Sequence, residues 1–219
     1  MRLNKFIAQT TGLSRRSADS LIKSGKVLVN DRPGELGQDV SSSDTTTLEG
    51  KTLSLKEEHT TLMLNKPLGY ICSREGQGGK TIYDLLPEKY HHLKTVGRLD
   101  KDSDGLILLT DNGQLANELT HPKYQKEKVY KILLNKTLEP NDKKKLLTGV
   151  GLSDGMSKFI NVKDCSSDTY EVILAEGRNR QIRRMFNSLG YKTISLRRTE
   201  FGPYKLDGLK PGETSVVKT

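Results

Sequence analysis

Five apolar runs, all beyond residue 59, constrain the fold more than any other feature of the chain: TLMLNKP at 61–67, LILLT at 106–110, VYKILL at 129–134, YEVIL at 170–174 and YKTISL at 191–196. Each has the length and the aliphatic, β-branched content of a strand. Helical patterns lie between some of them, from Tyr83 to Leu86, Gly113 to Leu119, Asn141 to Leu147 and Asn179 to Leu189. The two kinds of segment do not alternate as regular βα units, so the pattern predicts an α+β fold with a mixed, mostly antiparallel sheet.

The first 58 residues read as a separate, smaller domain. Leu3, Phe6 and Ile7 have helical spacing up to Gly12, and a second helix follows, with Ser14 as its N-cap, Ala18, Leu21 and Ile22 inside, and Gly25 at its end. KVLVN reads as a strand, SSSDTTT as a polar loop before one more short strand, and KEEHT at 56–60 as a linker. The expected domains are therefore 1–58 and 59–219.

Charge narrows the partner. The 219 residues carry 36 Lys and Arg against 27 acids, a formal +9, which favours a polyanion over a neutral metabolite. The excess is local. Arg2, Lys5, Arg15, Arg16, Lys23, Lys26 and Arg32 against two acids leave residues 1–32 at +5, while residues 33–58 sum to −4. A second concentration lies in EGRNRQIRRMFNSLG at 176–190 and just beyond it, where residues 176–198 sum to +6. Read as a helix from Asn179, that segment buries Ile182, Met185, Phe186 and Leu189 and leaves Arg180, Arg183 and Arg184 on other faces. Arginine's planar fork suits phosphate.

Other classes lose support. The opening MRLNKFIAQTTGLSRR has no apolar signal core, and no stretch approaches 18 apolar residues, so a cytoplasmic protein with no membrane partner is expected. Cys72 and Cys165 form no CxxC pair, and the four histidines form no HExxH or HxE set, so neither a disulfide framework nor a metal is expected. GQGGKT at 76–81 resembles the end of a phosphate-binding loop, but the pattern needs Gly where Arg74 stands, so no nucleotide cofactor is implied.

Two positions could carry chemistry. In TVGRLDKDSDGLILLTDNG at 95–113, Asp102, Asp104 and Asp111 suit turns. Asp100, flanked by Arg98 and Leu99, could instead be a carboxylate kept ionised by cations, as nucleophilic or general-base work requires. Tyr130, within a strand, is either a core residue or a platform for an extruded base.

With LNKPLGYICS at 64–73, GRLDKDSDGLILLTDNG and EGRNRQIRRMF in this order, the sequence resembles the ribosomal RNA pseudouridine synthases of the small-subunit and large-subunit types, and the match spans nearly the whole chain. The front segment resembles the small alpha-L RNA-binding domain that many members carry. The resemblance implies Asp100 as the catalytic aspartate, Tyr130 beside the target base, Arg178 as the basic residue paired with the aspartate, and Arg98, Leu99 and Ile182 around the pocket. It also implies a monomer acting on ribosomal RNA or an assembling subunit, with no cofactor.

The implied reaction breaks the base–sugar bond of uridine, turns the uracil and rejoins it through carbon. One carboxylate can attack the anomeric carbon or take a sugar proton, and the sequence leaves both open. A lone aspartate does disfavour hydrolysis, in which paired acids share the work. The target base must be turned out of its stack, and the face with Arg15 and Arg16 and the helix with Arg183 and Arg184 are expected to grip the RNA. Two alternatives stand beside this: a non-catalytic RNA-binding ribosome-assembly factor, in which Asp100 only forms a turn, and an enzyme of the same class acting on transfer RNA.

Overall fold

The computed structural model describes residues 1–55, 58–76 and 78–217, so Lys56 and Glu57 of the expected linker and Gln77 of GQGGKT lie outside the described residues. The chain divides into two compact units, Met1–Thr60 with Asp111–Gly113, and Thr61–Thr110 with Gln114–Thr219.

In the first unit, α1 (Leu3–Thr11) and α2 (Arg15–Lys23) precede β1 (Val27–Val29), β2 (Arg32–Pro33), β3 (Thr46–Leu48) and β4 (Lys51–Thr52). Ser14 caps α2 as its position predicts, its Oγ accepting from Ser17 N at 3.0 Å. Leu3 and Ile7 of α1, one turn apart, and Ala18 and Ile22 of α2 meet Val27, Val29 and Val40 in a small core. The strands pair antiparallel in the order β2-β1-β3-β4.

The second unit runs β5 (Thr61–Lys66), β6 (Lys94–Val96), β7 (Asp104–Thr110), α3 (Gly113–Thr120), β8 (Lys128–Leu134), α4 (Pro140–Thr148), β9 (Val150–Leu152), β10 (Gly155–Ser157), β11 (Asn161–Asp164), β12 (Thr169–Leu174), α5 (Gln181–Asn187), β13 (Thr193–Phe201), β14 (Tyr204–Lys205) and β15 (Thr214–Val217). Among the described residues its main sheet has the path β11-β12-β8-β13-β7-β5-β15, with β6 on β7 and β14 on β13. Every pairing is antiparallel except β7 with β13, so the sheet is mixed and mostly antiparallel. The central β7 is covered on both faces, which is why LILL shows no alternation: Leu106 and Leu108 pack with Leu119 and Phe201, Ile107 and Leu109 with the larger core of Leu62, Leu64, Ile132 and Phe186. In β8, by contrast, Lys128, Tyr130, Ile132 and Leu134 alternate inward.

Two expected helices are shorter than their patterns. The segment at 83–86 is a single 3-10 turn, Ile82–Leu85. The helix expected from Asn179 starts at Gln181, because Arg180 stands at φ 46°, in the left-handed region. Among the described residues no helix is long and apolar enough to cross a membrane.

The crossing of β7 and β13 fixes the site's position. Gly105 lies opposite Arg198 with φ 102°, and a Cβ there would stand 2.2 Å from the Arg198 carbonyl oxygen. Only glycine lets the two backbones approach so closely. The loop 97–103 therefore leaves β6 and enters β7 against the strand that carries Arg198.

Candidate active site

The loop 97–103 is held from beneath. Lys66, at the end of β5 and fully buried, sends its Nζ to the carbonyl oxygens of Pro67 at 3.2 Å, Asp100 at 3.0 Å and Ser103 at 2.5 Å. Burial pushes its ammonium down from the ordinary lysine range. Ser103 N donates to Asp100 O at 3.1 Å and closes the turn, and the Cys72 thiol, itself pushed up by burial, accepts from Leu99 N at 3.4 Å. The backbone of Asp100 is thus fixed while its carboxylate, about one-third exposed, points to the rim of a cleft of about 360 Å³.

That cleft brings together Arg98, Leu99, Asp100, Tyr130, Arg178, Arg180 and Ile182. Leu99, Tyr130 and Ile182 are buried and Arg98 is exposed. Lys128, Leu174, Leu196, Arg198 and Phe201 complete its inner wall.

The arginines are distributed differently from the expectation. Arg178, expected to pair with Asp100, instead contacts Asp154 and Glu176, each at 3.0 Å, and the carbonyls of Asp154 and Met156. Arg178 thus faces the β9–β10 hairpin, and Arg180, in the left-handed region, faces the loop. Arg180 Nη1 lies 3.7 Å from Asp100 Oδ2 and forms a two-pronged pair with Asp102 at 2.9 and 2.8 Å. This fork holds the Asp102 carboxyl below its usual range. Arg183 is also turned inward, donating to Thr193 O at 3.0 Å and Asp102 O at 2.6 Å. Arg184 grips Asp154 at 3.0 and 2.8 Å, which lowers that carboxyl as well. Neither Arg183 nor Arg184 lines the cleft; their side chains are 13% and 29% exposed. Gln181, 3% exposed, ties the segment to itself by accepting from Arg178 N and donating to Ser157 Oγ and Glu176.

In the first unit, Arg2 pairs with Asp39 and Lys26 with Glu49. Arg15 donates to Asn4 Oδ1, and Arg15, Arg16 and Lys23 are exposed. Among the described residues no ion pair engages these three or the half-buried Lys5.

The sequence pattern does not single out Lys66, Lys128 or Asp102's part in holding arginines, and it counts Arg198 only within the basic stretch 176–198. Lys128 had a signal, since it stands in phase with Tyr130, Ile132 and Leu134. Lys66 had a weaker one, as a lysine closing an apolar run.

Residues 60–188 match a family model described as RNA pseudouridylate synthase, and residues 1–45 match the S4 domain. The chain is 38% identical to ribosomal large subunit pseudouridine synthase B of Bacillus subtilis, over 97% of this chain and 90% of that one. It is also 38% identical to ribosomal small subunit pseudouridine synthase A of Pasteurella multocida, over 94% and 91%. A crystal structure of a pseudouridylate synthase superposes with TM-score 0.71 at 32% identity, covering 100% of this chain and 96% of that one. With a family match over residues 60–188, an S4 match in front of it and similarity along nearly the whole chain, this protein belongs to the RNA pseudouridylate synthase family, enzymes that isomerise uridine in RNA.

Proposed function

We propose that this enzyme converts a uridine of ribosomal RNA to pseudouridine, with the nucleotide turned out into the cleft and Asp100 as nucleophile or base at the sugar. The observation that carries this reading is the placement of Asp100: a carboxylate on a pinned backbone, at the mouth of a cleft whose buried wall includes Leu99, Tyr130 and Ile182. A flat ring entering between those side chains leaves its ribose at the carboxylate. Tyr130 then lies beside the base, and Arg180, not Arg178, is the arginine that steadies Asp100. Arg178 joins the cleft wall to the β9–β10 hairpin.

Relatives named for the large and the small ribosomal subunit match equally well, and the class of RNA, not the particular uridine, is what they support. Pseudouridine mapping across the ribosomal and transfer RNA of cells lacking the gene tests the reading. One ribosomal position should lose its modification and regain it with the gene. A loss confined to transfer RNA, or no loss, would overturn it.

Turning a base out costs about a few kcal/mol, and phosphate contacts offset it. We assign these first to four cations of the S4 domain that have no ion pair among the described residues, Lys5, Arg15, Arg16 and Lys23. Arg16→Ala and Lys23→Ala should each weaken RNA binding and reduce the slope of log affinity against log salt by about one. The rate at saturating RNA should hold. Filter binding across a salt series checks this, and an unchanged slope would remove these residues from the interface.

A further inference from the structure

Two buried cations of the cleft have no task in the reading above. Lys128 is 8% exposed and Arg198 is 2% exposed. Phe201 stands opposite Lys128 across the β8–β13 pairing, and Arg198 opposite Tyr130. Both cations flank the Phe201 ring, Lys128 Nζ at 5.1 Å and the Arg198 guanidinium carbon at 4.8 Å from its centre. Lys128 Nζ donates to Lys126 O at 3.1 Å, Arg198 Nε to Leu106 O at 2.8 Å, and Arg198 Nη2 is buried without a hydrogen-bond partner. Among the described residues neither has a carboxylate within ion-pair distance. Glu176, whose charge does reach Lys128, is engaged by Arg178 and Gln181.

Such a pair works against folding. Burial first, and then the neighbouring Arg198, push the Lys128 ammonium down to about 8, and apolar side chains would fill the same volume at less cost. The site therefore has to gain from them when something anionic occupies the cleft. A backbone phosphate fits poorly, because the chain's exposed groups, Asp100 and Arg180, stand at the rim, whereas these cations line the buried wall beside Tyr130. What enters there is the base, and it acquires charge during the reaction itself.

We propose that Lys128 and Arg198 are catalytic cations that stabilise the uracil anion formed when the glycosidic bond breaks. The inference rests on the proposed uridine isomerisation. The C1′–N1 bond cleaves with its electron pair going to the ring, where O2 and O4 share the charge. Asp100 meanwhile bonds to C1′ or takes a sugar proton. After the ring turns, C5 bonds to C1′, Asp100 is released or returns its proton, the C5 proton passes to water, and N1 takes up a proton from water. The ring ends neutral, and no oxidant or reductant is required. Fixed positive charge at the wall acts only while the anion exists, which lowers the barrier without tightening RNA binding.

The test is Lys128→Met and Lys128→Arg in single-turnover tritium release from RNA labelled at uracil C5, beside RNA affinity, its salt slope and Tm. The expected result for Lys128→Met is a rate about 100-fold lower, with affinity and salt slope unchanged, Tm equal to or above that of wild type, and partial recovery in Lys128→Arg. RNA with 5-fluorouridine at the target, whose ring is a better leaving group, should show a deficit below about 10-fold in loss of the parent nucleoside. An unchanged rate overturns the proposal, as does a joint fall of affinity and salt slope, which would identify a phosphate contact. A lowered Tm with a normal rate makes Lys128 structural. A wild type that releases no tritium from any ribosomal RNA, while binding it, refutes the functional reading itself.

Discussion

Asp100→Asn should lower pseudouridine formation by a factor on the order of 10⁴ or more, with ribosomal RNA affinity within about twofold of wild type. The substitution keeps the size of the side chain and can still face Arg180 Nη1, 3.7 Å away, so the cleft should keep its shape. It removes the one property both candidate mechanisms need, a negative oxygen that can bond to C1′ or accept a sugar proton. Loss of the Asp100–Arg180 pair is cheap, because both side chains are substantially exposed and Arg180 retains its fork on Asp102. Tritium release and gel-shift affinity on the same labelled RNA measure the two quantities. Turnover within tenfold of wild type would remove Asp100 from the chemistry. Wild-type binding with no turnover in either protein would favour the assembly-factor reading instead.

The motifs that were legible in the sequence are those whose physics is local. The LILL run of β7 announces a strand covered on both faces, and the spacing of Leu3, Ile7, Ala18 and Ile22 announces two helices with one inner side. β9, β10, β11 and β15 escaped notice because strands of three or four residues with few apolar positions, such as NVKD, are defined by their partners and not by their own pattern. The charge of residues 176–198 is partly offset from outside the segment: Arg180 is paired with Asp102 and Arg184 with Asp154, 78 and 30 residues away in the chain, and no local sum includes those acids. Arg178 lines the cleft, but its guanidinium engages Asp154 and Glu176, and it is Arg180 that lies 3.7 Å from Asp100, through pairings no local pattern announces. Lys66 and Lys128 were passed over because lysine is ordinarily a surface residue. Their burial becomes intelligible only once three carbonyls meet at the first and the cleft wall closes around the second.

Lys66→Met should lower both stability and rate, and the two losses have a common origin. Methionine fills much the same volume but cannot donate, so the carbonyls of Pro67, Asp100 and Ser103 lose a shared partner inside the protein. Leaving buried acceptors unsatisfied costs about 1–3 kcal/mol each, part of which loop movement recovers, so a net loss of about 2–4 kcal/mol is expected. The movement is what matters for catalysis. If the Asp100–Ser103 turn lifts to find water, the carboxylate shifts relative to Tyr130 and Ile182, and a displacement near 1 Å can cost about 10²-fold in rate. RNA affinity should change little, because the cations assigned to binding lie in the S4 domain. Urea unfolding and single-turnover kinetics, the latter well below the lowered Tm, separate the effects. A stable variant with wild-type rate would show that the turn holds its own shape. A fall in stability with an unaltered rate would confine Lys66 to folding, and the position of Asp100 would then be set by Gly105 and the β7–β13 crossing.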